Sequence, residues 1–200
     1  MFTLTKKRAA PSLFEAGESM GVFGSGLRNP KRVRIGGKRL SEILEAHERF
    51  ARAAADGARA ELAGANLARV DLAGAVLTHA NLAGARLEGS CLREAKLASA
   101  DLSGANLRKA DLRTCDATGA NFAGADLTDA DLSGAELFRS SFAGCVLRQA
   151  KVRAANFRQA ELRNADLTGA DLNVASLRQT DLEGAKLDGA DMQTTIIRKV

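Results

Sequence analysis

No tryptophan or tyrosine occurs among the 200 residues, and eight phenylalanines supply the whole aromatic content of 4%. That absence excludes a thick core assembled from large rings; the core must be thin and repetitive. Cysteine is sparse. Cys91, Cys115 and Cys145 make an odd number with no CxxC or Cys/His spacing, which suits reduced thiols in a cytoplasm better than a disulfide framework or a zinc site. There are only two histidines, His47 and His79. No run approaches the roughly 18 apolar residues of a membrane-spanning helix. The N-terminal MFTLTKKRAAPSLFEAGESMGVFGSG carries positive charge but lacks the unbroken apolar stretch of a signal peptide. The expectation is a cytoplasmic protein with no membrane span.

What is present is unevenly placed. Residues 1–59 hold 12 Lys+Arg against 6 Asp+Glu, whereas residues 60–200 hold 17 against 18. Attraction to anionic partners is therefore confined to the N-terminal part, and the remainder is close to neutral. Residues 1–37 contain both prolines, several glycines and the run Pro30-Lys31-Arg32-Val33-Arg34, a composition that predicts a flexible basic arm. Residues 38–57 predict a short helix: Leu40, Ile43, Leu44, His47, Phe50 and Ala54 fall on one stripe, Ser41 is a candidate N-cap, and Asp56-Gly57 is the stop.

Residues 58–200 follow a different rule. From Ala60 onward a large apolar residue arrives every fifth position, from Leu62 to Ile197, about 28 times without a slip in register. Nearly all of these beats are leucine; Phe122, Phe142, Val152, Phe157, Met192 and Ile197 substitute for it, and only Ala117 is small. Two residues before nearly every beat stands a small residue, usually Ala, with Ser90, Cys115, Ser140, Cys145 and Thr180 as variants. Asp or Asn often lies between them, and Gly is common after the beat.

On a helix, steps of five advance 140° beyond a full turn and would spread the leucines over every face. On a strand, odd steps alternate faces. Neither buries them all. If each five residues form one short side and a corner, every beat can point to a common axis, and four sides close a square coil of about twenty residues whose neighbours bury one another. Segments such as ADLSG, ANLRK, ANLAG, ADLTG and ADLEG resemble the pentapeptide-repeat family, whose consensus is A(D/N)LXX. The resemblance covers roughly residues 60–197. It implies an all-β solenoid, a right-handed quadrilateral β-helix of about seven coils and roughly 35 Å in length at the spacing of strands in a sheet. The helix of residues 38–57 would cap its N-terminal end. A core ladder of Leu62, Leu82, Leu102, Phe122, Phe142, Leu162 and Leu182 is expected on one side. At Ala117, Cys115 and the following Phe122 are expected to make up the missing volume, with Leu97 and Leu137 stacked on either side.

Few residues here are arranged for chemistry. His47 belongs to the helix stripe, and His79 should point outward. Gly24-Ser25-Gly26 and Gly36-Gly37-Lys38 lack the strand and helix that a phosphate loop requires. The recurrent Asp and Asn are better explained by hydrogen bonds to turn backbone than by calcium. No enzyme activity, metal or cofactor is expected.

The resemblance, together with the Ala/Arg-rich composition, implies a bacterial protein. It also implies a non-enzymatic scaffold for protein–protein interaction with a partner still to be identified. Some members mimic duplex DNA with a continuous acidic surface and bind DNA gyrase. Here Asp71, Asp111, Asp131, Asp171 and Asp191 should form a column interrupted by Cys91 and Lys151, and Arg93, Arg113 and Arg153 should largely cancel it. Arg148, Lys151, Arg153, Arg158 and Arg163 should girdle one coil with positive charge and form a candidate interaction surface. Ile196, Ile197 and Val200 mark an uncapped end where a homodimer would form, as C-terminal dimerisation in the family implies. Tethering to an anionic surface or nucleic acid through the basic arm is a third function; specific nucleic-acid readout is not expected, since aromatics and a recognition fold are lacking.

Overall fold

The computed structural model describes residues 26–197. From Glu61 to Ile196 the chain forms a parallel ladder in which each side pairs with the side twenty residues further on, as in Glu61↔Asn81↔Asp101↔Asn121 and Asn66↔Arg86↔Asn106↔Asp126. Four such columns, through residues 61, 66, 71 and 76, are the four walls of a square coil. Each wall pairs with its neighbour coil in a one-residue bridge, with a further bond at the corner such as the Gly64 N–H to the Ala83 carbonyl at 2.8 Å, so pairing is a series of isolated bridges rather than long strands. The beat N–H donates forward, Leu62 to the Asn81 carbonyl at 2.7 Å, and the next coil answers, Asn81 to the Ala60 carbonyl at 3.0 Å.

The corners explain the other repeat positions. The small residue closes each turn by donating its N–H to the beat carbonyl, as Ala65 does to Leu62 at 3.1 Å. The residue before it then takes a left-handed conformation, φ +63° at Gly104, for example. Glycine accepts that φ without strain. Thr114 (φ +54°) and Val174 (φ +63°) do so against the preference of β-branched side chains. Asp and Asn brace the same corner: Asp71 Oδ1 accepts the Ala73 N–H at 3.1 Å, and Asp101 accepts that of Ser103 at 3.0 Å.

Every fifth residue from Leu62 to Leu177 is buried, and the small residues two before them line the same interior. Polar variants at the small position are satisfied locally: the Ser90 and Ser140 hydroxyls donate to the Leu87 and Leu137 carbonyls at 2.7 and 2.6 Å. Of the expected ladder, Leu62 through Leu162 are fully buried, but Leu182 is half-buried, since no described coil stacks beyond the last one.

Around Ala117, which is fully buried, the bridges Lys96↔Asp116 and Asp116↔Glu136 set Leu97 and Leu137 on either side. Phe122 and Phe142 stack at 4.6 Å between centroids and 8° between planes, and Phe157 meets Phe142 edge-on at 5.4 Å and 62°. In the same coil Cys115 and Phe122, both larger than the residues usual at their positions, are fully buried as well. Ala117→Leu should therefore overpack the coil and cost about 1–3 kcal/mol in urea denaturation; a stabilisation above about 1 kcal/mol would reveal unfilled space.

At the N-terminal pole the chain departs from the expected arm. Of residues 1–37, residues 1–25 lie outside the described ones, while residues 28–35 are built onto the first coil. Arg28 bridges Val70 in parallel, as a fragment of a preceding coil would, and the Asp71 N–H donates to its carbonyl at 3.0 Å. A 3-10 turn, Pro30–Arg32, leads into a hairpin of β1 (Arg34–Ile35) and β2 (Lys38–Arg39), and then α1 (Leu40–Ala51). Pro30, Val33, Leu40 and Leu44 bury against the first coil, which is why this basic segment is ordered.

The helix N-cap is Arg39 rather than Ser41, which is buried; the Arg39 N–H donates to Glu42 Oε2 at 3.0 Å. Ala54, placed on the apolar stripe by sequence, is exposed beyond the helix end.

Candidate interaction surface

The outward face of the rod is a regular array of polar side chains on a backbone fixed by inter-coil hydrogen bonds. The column Asp71, Cys91, Asp111, Asp131, Lys151, Asp171, Asp191 is continuous through its bridges. Arginines answer its acids. Arg113 grips Asp111 through two bonds of 2.8 and 2.6 Å and lies 3.9 Å from Asp131, and Arg153 reaches Asp171 at 3.2 Å. Burial alone would raise the Asp111 carboxyl, but the Arg113 hydrogen bonds hold it below the usual range.

The same device recurs on other walls, where an arginine just after one beat pairs with the aspartate eighteen residues on. Arg108 meets Asp126 at 3.1 Å, Arg148 meets Asp166 at 2.7 Å, and Arg163 pairs with Asp181. Asp166 is drawn down to about 2 by the Thr168 hydroxyl and then by Arg148. Pairs whose arginine lies this far in solvent add little stability, but they neutralise the columns.

The five cations expected to girdle one coil are spread over its walls: Arg148, Lys151 with Arg153, Arg158 and Arg163 follow successive walls. Arg148, Arg153 and Arg163 are paired as above. Lys151 and Arg158 are exposed and make no ion pair among the described residues.

At the C-terminal pole Ile196 and Ile197 are 40% and 51% exposed, beside half-buried Leu182, Leu187 and Met192. A cleft of about 410 Å³ opens there between Leu177, Thr180, Leu182 and Ile197. Val200 lies outside the described residues.

At the opposite pole His47 is a buried link. The Ala60 N–H has no beat carbonyl three residues before it, as later small residues do, and donates instead to His47 Nδ1 at 3.0 Å. Nε2 is buried without a hydrogen-bond partner among the described residues. Burial pushes the imidazole down from its ordinary value, against the opposing pull of Thr78. The unfolded chain therefore takes up the proton first as pH falls. The stability His47 contributes is complete above about pH 6.5 and declines below it. Urea midpoints should be flat above about pH 7 and fall towards pH 5, and His47→Gln should flatten that slope. His79 is exposed at a corner.

Burial pushes the Cys115 thiol up to about 12 and raises Cys145 as well, which leaves both poorly nucleophilic. Among the described residues no cluster of His, Cys, Asp and Glu could hold a metal ion, and no helix is long and apolar enough to cross a membrane.

Family descriptions match this repeating surface directly: Pentapeptide repeats over residues 60–98 and 95–134, and Pentapeptide repeat region over residues 115–192. The chain belongs to the pentapeptide-repeat family. Its four-walled coil is the right-handed quadrilateral β-helix of pentapeptide-repeat proteins. Solved structures similar to it include a pentapeptide-repeat protein of the Arabidopsis thaliana thylakoid lumen, 30% identical, with 54% of this chain and 71% of that one covered and a TM-score of 0.40. HetL, a pentapeptide-repeat protein involved in heterocyst differentiation regulation in Nostoc sp. strain PCC 7120, is 25% identical over 75% and 94% of the two chains, with a TM-score of 0.23. A trypsin-treated form of QnrB1, a plasmid-mediated fluoroquinolone resistance protein, is 20% identical over 65% and 78%, with a TM-score of 0.31. No curated protein matches the chain.

The basic hairpin at the N-terminal pole is the feature that sequence reasoning missed. Its signal was available in Gly36-Gly37 between Arg34-Ile35 and Lys38-Arg39, a two-residue loop of the kind that joins antiparallel strands.

Proposed function

We propose that this pentapeptide-repeat protein is a non-enzymatic cytoplasmic scaffold that binds proteins through the apolar C-terminal end of its described rod, a second copy of itself being the first such partner. The observation that carries this reading is the apolar end of the last described coil, where Ile196 and Ile197 are exposed beside half-buried Leu182, Leu187 and Met192. Stacked coils satisfy one another's backbone and cover one another's leucines, so an open end is a surface that favours cover. Two ends meeting about a two-fold axis would supply that cover symmetrically.

Sedimentation of the full chain should show a dimer, and Ile197→Glu with Ile196→Glu should convert it to a monomer with an unchanged circular dichroism spectrum. A wild-type chain that stays monomeric at high micromolar concentration would overturn self-association. We do not adopt topoisomerase inhibition by DNA mimicry, because Arg113, Arg153, Arg108 and Arg148 break up the acidic columns that such mimicry needs.

A further inference from the structure

The densest charge on the molecule lies off the rod. Arg28, Lys31, Arg32, Arg34, Lys38 and Arg39 place six cations within twelve residues that contain no acid, and all six residues are exposed. The fold concentrates them further. β1 and β2 pair antiparallel with Arg34 opposite Arg39 and Ile35 opposite Lys38. Like charges directly opposed across a ribbon destabilise it. Relief within the chain is small: the Arg34 guanidinium donates to the Gly37 carbonyl at 2.8 Å, and Arg39 lies 3.7 Å from an exposed Glu42. The Arg28 guanidinium donates to the Ala68 carbonyl at 3.1 Å and holds the segment down. Of the other acids on α1, Glu48 is taken by Arg52 and Glu45 is exposed. Lys31, Arg32 and Lys38 make no ion pair among the described residues.

We propose that this N-terminal ribbon, with the turn before it, is a docking surface for nucleic acid that contacts backbone phosphates without reading sequence. Four of the six cations are arginine, whose planar fork suits phosphate oxygens. The ribbon ends in Gly36-Gly37, both at positive φ (+55° and +86°), so no side chain at the tip keeps a polyanion away. A groove of duplex DNA admits a two-stranded ribbon, and this one, two residue pairs long, is deep enough only for the phosphates at its edge. Beside it a cleft of about 460 Å³ is lined by Leu27, Arg28, Asn29, Arg32 and Val33, which adds a concave basic wall.

A membrane is a poorer match. Ile35, the apolar residue of the ribbon, is turned half-buried towards the core, and the exposed large apolar residues of the described chain lie elsewhere, at Phe50, Val174, Ile196 and Ile197. Interfacial anchoring needs an apolar face to insert. The nearly neutral rod beyond the pole neither repels a long polyanion nor competes for it.

Fluorescence anisotropy of a labelled random-sequence DNA duplex with the full-length chain tests this. Contact with about four phosphates gives a salt slope near −3.6, so raising salt from about 50 to 200 mM should weaken binding roughly 100-fold. Arg32→Glu with Lys38→Glu, both on exposed positions, should abolish binding at low salt while the thermal melt is unchanged. Lys151→Glu with Arg158→Glu, two exposed cations of the rod that make no ion pair among the described residues, should bind within about twofold of wild type. Absence of binding at low salt, equal loss in the rod variant, or retention on phosphatidylserine vesicles without DNA binding would each overturn the proposal. None of these readouts depends on self-association at the opposite pole.

Discussion

Phe142→Ala should destabilise the protein by about 3–5 kcal/mol, the largest loss expected from any single truncation in the rod. Phe142 is fully buried and central to a ring cluster, stacked on Phe122 at 4.6 Å and meeting Phe157 edge-on at 5.4 Å. Removing it loses the transfer energy of a whole ring and leaves a void that neighbours cannot close. The walls are tied to adjacent coils by bonds such as Phe142 N–H to the Glu161 carbonyl at 2.7 Å, so the backbone does not collapse inward. Aromatic contact beyond area burial is lost twice. Equilibrium urea unfolding should show the loss as a lowered midpoint. A cost below about 2 kcal/mol would mean that the coil shrinks around the gap and that the rod is softer than its ladder implies.

Gly57→Ala should cost about 3 kcal/mol, at the upper end of overpacking, and should act on the cap alone. A Cβ on Gly57 would lie 2.2 Å from the Phe50 backbone nitrogen and 2.4 Å from its Cα. Those atoms belong to the last turn of α1 and cannot rotate aside. The chain leaving the helix passes close under it, with the Ala58 N–H donating to the Ala46 carbonyl at 3.0 Å. Pushing that strand away also pulls Ala60 from His47 Nδ1. Hydrogen exchange should accelerate across residues 40–60 with little change beyond about residue 100; a uniform loss along the rod would show instead that cap and coils unfold as one unit. A Gly57→Ala protein as stable as wild type would mean that the approach is looser than 2.2 Å.

These two outcomes divide along the line between what could be read in the chain and what could not. The rod was legible because its period is strict: one leucine per five residues suits neither a helix nor a plain strand, the resemblance of the repeat to A(D/N)LXX implies a four-walled coil, and the bridges at intervals of twenty follow from four walls. The neighbours of Ala117, Leu97 and Leu137, were legible for the same reason, since a fixed register says which residues stack on it. The neutralised acid columns were partly legible, because residues twenty apart share a wall. The spacing of eighteen that joins Arg148 to Asp166 was not, since it depends on how a side chain leans from one coil to the next.

The poles escaped because no repeat governs them. A basic segment with two glycines and a proline reads as a flexible arm until Val33, Leu40 and Leu44 find the open end of the first coil. Val70, a large residue at a small position, gave a local hint, for Arg28 rather than a whole coil lies above it. Gly57 read as a helix stop on composition; the structure assigns it a close backbone approach, which depends on the return path of the chain. Local periodicity thus determined by itself the coil, its core and its polar walls, because each unit meets only its neighbours. Tertiary structure alone decided how the ends are finished, because a cap is a contact between segments distant in sequence and unlike in pattern.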